Sequence, residues 1–458
     1  MYQIDFDRPV RIHFIGIGGI SMSGLAEILL QKGFTVSGSD SHETELTRSL
    51  VASGAKIAYG QRAENIRDDI DLVVYTAAVK EDNPELVAAK NSGIPTMTRA
   101  QLLGQLMRNY GMPIAISGTH GKTTTTSMIT MILLEAGKDP TVSVGGMLKE
   151  IGGNIRIGGS DYFVTEACEY TNSFLSFFPK IGVILNIEED HMDFFRDLSE
   201  IYDSFHRFAA LLGEDGTLII NSAIPSPEKI TEGLSCRVVT FSADQEADYR
   251  AENISYDEWG NCSFDACHRG SRQHYELRVA GAHNVANALA SIAVAEVLGI
   301  DPEPVRKGLL AFEGTDRRFQ KKGDLHGVTV VDDYAHHPTE IRATLAAAKN
   351  YPHKRIVCVF QPHTYSRTKA FLHDFAAALS EADLVVLSDI YAAREKDDLG
   401  ISSADLMEEI VSRGTKCRYF PSFDEIENFL LENCVHGDLL ITMGAGDIVK
   451  VGEDLLGL

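Results

Sequence analysis

The sequence predicts an α/β protein built from three α/β domains in series. Three observations predict it. Short apolar runs of strand length alternate with stretches of helical period along all 458 residues. Two glycine-containing turns, 16–19 and 118–123, each stand between an apolar run and a helix, as the nucleotide-binding turns of such sheets do. The length, finally, is that of about three cores. The divisions fall at 1–108, 109–312 and 313–458, giving a Rossmann-like domain, a phosphate-loop domain and a second Rossmann-like domain.

In the first domain a strand over 10–15 leads into Gly16-Ile17-Gly18-Gly19-Ile20-Ser21 and a helix reaching Leu30. A second strand, 34–38, ends at Ser39-Asp40, and a third covers 71–75. An acidic residue about 20 positions beyond the glycines is how a dinucleotide-binding βαβ unit opens. Ser21 stands where that fingerprint has its third Gly. Gly16, Gly18, Gly19, Ser39 and Asp40 are therefore candidates to cradle a diphosphate, either of NAD or of another nucleotide.

In the second domain a strand over 112–116 precedes Ser117-Gly118-Thr119-His120-Gly121-Lys122-Thr123, and a helix over 124–135 follows, stopped by Gly137. Such a turn aims backbone N–H groups and a helix N-terminus at phosphate. Gly118, Thr119, His120, Gly121, Lys122, Thr123 and Thr124 are the candidates to bind a nucleoside triphosphate, ATP or GTP, with Lys122 on the outer phosphates and the Thr123 hydroxyl on Mg²⁺. The full pattern has a Gly at 116, where this chain has Ile116, so the loop is a short variant. One strand, 161–165, ends at Glu166; another, 180–185, is followed by Asn186 and by Asp190-His191. Ligands of open parallel sheets gather beyond such strand ends. Thr123, Glu166 and His191 are thus candidate ligands for one or two Mg²⁺ ions. Residues 236–280 look polar and β-rich, and Gly281 to Asn287 opens an Ala-rich helix to Leu298.

The third domain shows strands over 328–331, 355–360, 384–387 and 439–442. Asp332-Asp333-Tyr334-Ala335-His336-His337-Pro338 follows the first of these, and Gln361 to Thr368, a polar cluster with a cation able to hold a carboxylate, follows the second. Arg317 and Arg318, at the join, reach toward phosphate or form an inter-domain salt bridge.

A net charge of −23 argues against a nucleic-acid partner. No apolar run approaches the roughly 20 residues of a membrane span, and the first residues lack the pattern of a signal peptide. Seven scattered cysteines suggest reduced thiols in a cytoplasmic protein, and Cys262, Cys267 and His268 lack paired metal-ligand spacing. The expected assembly is a monomer or weak homodimer.

Together these motifs resemble the Mur ligase family over nearly the whole chain. The resemblance rests on 13–19, 118–124, Glu166 to Tyr170, Asn186 with Asp190-His191, Gly281 to Asn284 with Asn287, Asp333 to Pro338, and Gln361-Pro362-His363. It implies that the first domain holds a UDP-sugar and the second ATP and magnesium. His283, Asn284 and Asn287 would meet the adenine side, Arg318 the phosphates, and Asp333 and His336 would help hold ATP. His337 and Arg367 would position an incoming amino acid; Lys122, His191 and His337 are the catalytic candidates, His337 as proton acceptor. The implied substrates are UDP-N-acetylmuramate, L-alanine and ATP, joined through an acyl phosphate in peptidoglycan precursor synthesis. A sister ligase adding another amino acid or peptide is the near alternative; an NAD-dependent oxidoreductase is the distant one. Several members carry a carbamylated lysine, but no lysine lies between Lys180 and Lys229, which leaves His206 or nothing in its place.

Overall fold

The computed structural model describes residues 2–76, 78–393, 395–397 and 399–458. The first sheet consists of β1 (Arg11–Ile15), β2 (Thr35–Asp40), β3 (Lys56–Tyr59), β4 (Leu72–Tyr75) and β5 (Thr96–Thr98), in the order β3-β2-β1-β4-β5. All neighbours run parallel. Its inner strands β1 and β4 are mostly apolar and buried, as strands covered on both faces are. Every strand end that carries a candidate residue therefore points to one edge.

The second sheet has ten strands: β6 (Met112–Ser117), β7 (Thr141–Leu148), β8 (Gly153–Arg156), β9 (Tyr162–Glu166), β10 (Ile181–Ile184), β11 (Thr217–Asn221), β12 (Arg237–Ser242), β13 (Tyr249–Tyr256), β14 (Asn261–His268) and β15 (Ser271–Ala280). The order is β15-β14-β13-β12-β11-β10-β6-β9-β7-β8. The β-rich polar stretch is the antiparallel meander β13–β15 at one edge. Its middle strand β14 alternates buried and partly exposed residues, as a half-covered sheet requires.

The third sheet comprises β16 (Gln320–Leu325), β17 (Val328–Asp333), β18 (Arg355–Phe360), β19 (Leu384–Leu387), β20 (Lys416–Tyr419) and β21 (Asp438–Met443), ordered β16-β17-β21-β18-β19-β20. Only β16 is antiparallel. β17 runs on through Asp332 and Asp333, which the sequence reading had placed beyond the strand. Asp332 can stay in register because its carboxylate accepts from the Thr442 hydroxyl at 2.7 Å and from Arg317 Nε at 2.9 Å.

The three domains meet in two chemically different seams. The helix Arg99–Met107 buries Leu102 and Leu106 in one core with Phe163, Phe174 and Phe205 of the second domain. It lies flush there because position 104 is glycine; a Cβ would collide with the Ser176 carbonyl oxygen. The two apolar cores of the third domain include no residue before Phe319 among the described residues. Its contacts with the second domain, set out below, are mostly polar, with one aromatic pair, Trp259 and Tyr351, at the rim. Among the described residues no helix is long and apolar enough to cross a membrane.

Candidate active site

The phosphate loop is shaped from both ends. Ile116 is fully buried in β6, opposite Val183 and Glu166, so the turn begins only after Ser117. Gly118 (φ 141°) and Gly121 (φ 84°) then take left-handed conformations that a side chain resists. Asn186 clasps the turn: its Oδ1 accepts from the His120 N–H at 2.7 Å and its Nδ2 donates to the His120 carbonyl at 3.0 Å. The helix starts at Lys122, two residues earlier than expected, because Gly121 serves as its N-cap. No side chain caps it, so its first N–H groups stay directed at the loop.

Lys122 Nζ donates to the carbonyls of Gly118 and Thr119 at 2.5 and 3.1 Å, and to Glu169 Oε2 at 3.2 Å. Burial opposes its charge, but the fields of Glu169, Cys168 and Glu166 prevail and hold its pKa above the ordinary range. Among the described residues the other oxygen of Glu169 is buried without a hydrogen-bond partner, and it lies 3.8 Å from His191 Nε2. His191 has φ 57° and stacks on Tyr170 at 4.5 Å; burial lowers its pKa and favours the neutral ring, the form that ligates metals. Glu166 accepts from the Gly145 N–H at 2.5 Å. Thr123, Glu166 and His191 line one cavity of about 530 Å³.

These residues fit magnesium. Carboxylates, a hydroxyl and a neutral imidazole form an oxygen-rich donor set, and the orphaned oxygen of Glu169 is the atom a cation would satisfy. Sequence reasoning gave Glu169 no role. Its position three residues past Glu166, just before a 3₁₀ turn, carries no periodic signal. His206 stays outside the site, with Nδ1 on the Ile230 carbonyl at 3.0 Å.

The third domain reaches in through its 336–340 segment and Arg367. His120 lies 3.2 Å from Glu340 and 3.6 Å from Glu188. Burial alone would lower its pKa, but the two carboxylates raise it to about 9, so the ring is cationic at neutral pH. Glu340 also accepts from the His336 N–H at 3.0 Å and lies 3.7 Å from Arg318. Burial lowers His336 to about 4 and raises Asp333 to about 6, although Asp333 accepts from the N–H groups of Phe319 and Ala335.

His337 is placed differently from the expected proton acceptor. His337 is the N-cap of the helix Pro338–Asn350: Nδ1 accepts from the Thr339 N–H at 3.3 Å, which assigns the proton to Nε2, 3.0 Å from the Glu189 carbonyl. With both nitrogens engaged, the ring has no lone pair for a substrate proton in this arrangement. Nor does its 4.8 Å grouping with His120 and Glu188 coincide with the expected metal ligands. Arg367 pairs with Asp190 of the second domain at 2.7 Å.

Beyond the loop opens a cavity of about 740 Å³ that takes in His283, Asn284, Asn287, Arg318 and Asp333. Asn287 Oδ1 packs so closely on Gly121 that a Cβ there would stand 2.7 Å away. The two cavities share His120, Gly121, Arg318 and Glu340 in their linings and so adjoin each other. At the rim of the larger one, Trp259 from the β13–β14 turn meets Tyr351 of the third domain, ring centroids 5.5 Å apart.

In the first domain the expected diphosphate turn is braced from beneath. The Ser39 carbonyl accepts from the N–H groups of Gly16 and Ile17 at 2.9 and 3.0 Å. Its hydroxyl donates to buried Glu85 at 2.6 Å, and Asp40 accepts from the Gly18 N–H at 2.7 Å. The carbonyl of Ser39 and one oxygen of Asp40 thus hold the turn itself, leaving Gly19 and Ile20 at its exposed crest.

Fold and site define a three-domain nucleotide-dependent enzyme whose phosphate loop follows a strand of the middle of three sheets. Three family descriptions match consecutive stretches: "Mur ligase family, catalytic domain" over 11–111, "Mur ligase middle domain" over 116–295 and "Mur ligase, glutamate ligase domain" over 317–446. The chain belongs to the Mur ligase family. It is 60% identical over 457 residues to UDP-N-acetylmuramate–L-alanine ligase of Agathobacter rectalis and 59% identical over 458 residues to the enzyme of that name from Lachnospira eligens, with 100% of each chain covered. The crystal structure of UDP-N-acetylmuramate-alanine ligase from Thermotoga maritima superposes with a TM-score of 0.80 at 31% identity, covering 98% of both chains. A murein peptide ligase from Psychrobacter arcticus gives 0.70 at 26% identity, again over 98% of both.

Proposed function

We propose that this chain joins L-alanine to the lactyl carboxylate of UDP-N-acetylmuramate, converting ATP to ADP and phosphate, as a step in peptidoglycan precursor synthesis. The observation that carries this reading is the cavity that Lys122, Glu166 and His191 line together with Arg318, His336 and Glu340, beside an adjoining nucleotide-sized cavity. The full-length identity to enzymes bearing that activity's name supports the choice of substrates.

A carboxylate is a poor electrophile, so it is activated first. Its oxygen attacks the γ-phosphorus, the bond to the β-phosphate oxygen breaks, ADP leaves and an acyl phosphate forms. Attack and target are both anionic, so Lys122 and the loop N–H groups offset the charge that gathers. One or two Mg²⁺ ions, which neutralise phosphoryl oxygens when bound, would be held by Thr123, Glu166, Glu169 and His191. The neutral amine of alanine then attacks the acyl carbon, the C–N bond forms and phosphate departs. We assign the amino acid to the Arg367–Asp190 pair, a guanidinium for its carboxylate and a carboxylate for its ammonium. His337 receives a closing role, since its nitrogens bind Thr339 and Glu189. Acyl phosphates hydrolyse, so closure of the third domain must exclude water before activation. ATP and a sugar nucleotide as substrates place the reaction in the cytoplasm, and we take the working unit as a monomer or weak homodimer.

The test is ADP formation with UDP-N-acetylmuramate and a panel of amino acids and peptides. L-Alanine should be the best acceptor, and no ADP should form without the sugar acid. ADP formation indifferent to the sugar, or an absorbance change with NAD(H), overturns the reading.

A further inference from the structure

Arg99 opens the helix Arg99–Met107, directly beyond the carboxyl end of β5 and thus at the same sheet edge as the Gly16–Gly19 turn. That helix is the apolar seam between the first two domains, so the half-buried guanidinium stands where they meet. Comparable arginines here are matched to carboxylates: Arg317 to Asp332, Arg355 to Asp438, Arg367 to Asp190. Among the described residues Arg99 has no carboxylate within 4.0 Å, and the titratable group whose field reaches it is the Cys168 thiol. Cys168 belongs to the Glu166–Glu169 stretch beside Lys122. Burial lowers the pKa of Arg99, the mark of a cation that has lost water and gained no counter-charge. A guanidinium left in that condition is suited to an anion arriving from outside.

The anion follows from the proposed function, on which this inference rests. The acceptor carries a diphosphate and a carboxylate. The diphosphate has its turn beyond β1, two strands from β5. The carboxylate must meet the γ-phosphate at Lys122, and the Cys168 side of Arg99 faces that stretch. We propose that Arg99 binds the lactyl carboxylate of the sugar-nucleotide acceptor and holds it toward Lys122. Arg99 is then the specificity residue that separates a sugar acid from its neutral parent.

Calorimetric titration of R99A and R99K with UDP-N-acetylmuramate and with UDP-N-acetylglucosamine, which has the same nucleotide and diphosphate but no carboxylate, tests this. In R99A the affinity for the sugar acid should fall about 100-fold, the scale of a lost charge-assisted pair, and KM for it should rise alike. Affinity for the neutral sugar and for a non-hydrolysable ATP analogue should stay within about twofold, the latter also showing that the variant is folded. R99K should recover part of the loss. Unchanged affinity for the sugar acid, or an equal loss for both sugars, overturns the assignment. Absence of ADP formation by the wild-type chain with UDP-N-acetylmuramate and L-alanine defeats the functional reading instead, independently of Arg99.

Discussion

Arg367 donates from Nε and Nη2 to the same oxygen of Asp190, at 3.2 and 2.7 Å, across 177 residues of chain. The side chains are 10% and 7% exposed. Burial works against the Asp190 charge, but Arg367 holds its pKa well below the usual carboxylate range. Removing one partner strands the other charge, typically at about 3–5 kcal/mol. R367A and D190A should each lower kcat/KM for alanine at least about 100-fold, while R367Q with D190N should lose less than the product of the single effects. A double-mutant cycle reads the coupling; strictly multiplicative losses would show the pair to be idle.

Loss of a metal-site carboxylate commonly weakens binding about 10- to 100-fold. E169Q should raise the Mg²⁺ concentration for half-maximal activity on that scale, and E166Q should act in the same direction. UDP-sugar affinity should be unaltered in both. An unchanged Mg²⁺ titration removes the residue from the site.

Lys122 stands inside the loop that would cradle the triphosphate. K122A should lower ADP formation about a thousandfold or more, the scale of a lost transition-state charge contact, yet bind UDP-N-acetylmuramate normally by calorimetry. Substantial retained turnover would be incompatible with the proposed activation step.

Closure should take up a proton. His120 is cationic up to about pH 9 when Glu188 and Glu340 flank it, against 6.5 for an unperturbed imidazole. A raised pKa stabilises the closed form fully below pH 6.5 and progressively less as pH rises through 9. Melting temperature measured with a bound ATP analogue should therefore decline over that interval in the wild type and flatten in H120Q. Parallel curves for the two proteins would discount the bridge.

Trp259 is the sole tryptophan, 46% exposed, and its only described aromatic neighbour is Tyr351 of the third domain. Nucleotide binding should shift its fluorescence as that contact forms, and Y351A should abolish most of the shift. A signal insensitive to ATP in the wild type would mean that the rim contact does not follow closure.

The fold was largely legible because parallel strands covered on both faces are continuous apolar runs, and because two turns declare themselves by glycine spacing. Even the departure at Ile116 was readable, and burial in β6 explains it. What sequence could not disclose were roles created by distance along the chain. Glu188 and Glu340 look like ordinary acids near a strand end and a helix start, yet they flank His120. Arg367 offered a cation for a carboxylate, and only the fold supplies Asp190 as its neighbour. Ser39 read as a ligand residue, whereas its hydroxyl turns inward because Glu85, 46 positions later, waits beneath it.

The contrast between the two seams gives the molecule a fixed jaw and a loose one. Prying apart Leu102, Leu106 and Phe174 would wet hydrocarbon, at roughly 25 cal/mol per Å². Parting 336–340 from 186–191 mostly trades protein hydrogen bonds for water ones, which nearly balances. Ionic strength therefore acts as a throttle on catalysis, loosening the polar jaw while leaving the apolar one set. It also follows that a small molecule wedged between Glu189 and His337 could stall the cycle without resembling any substrate.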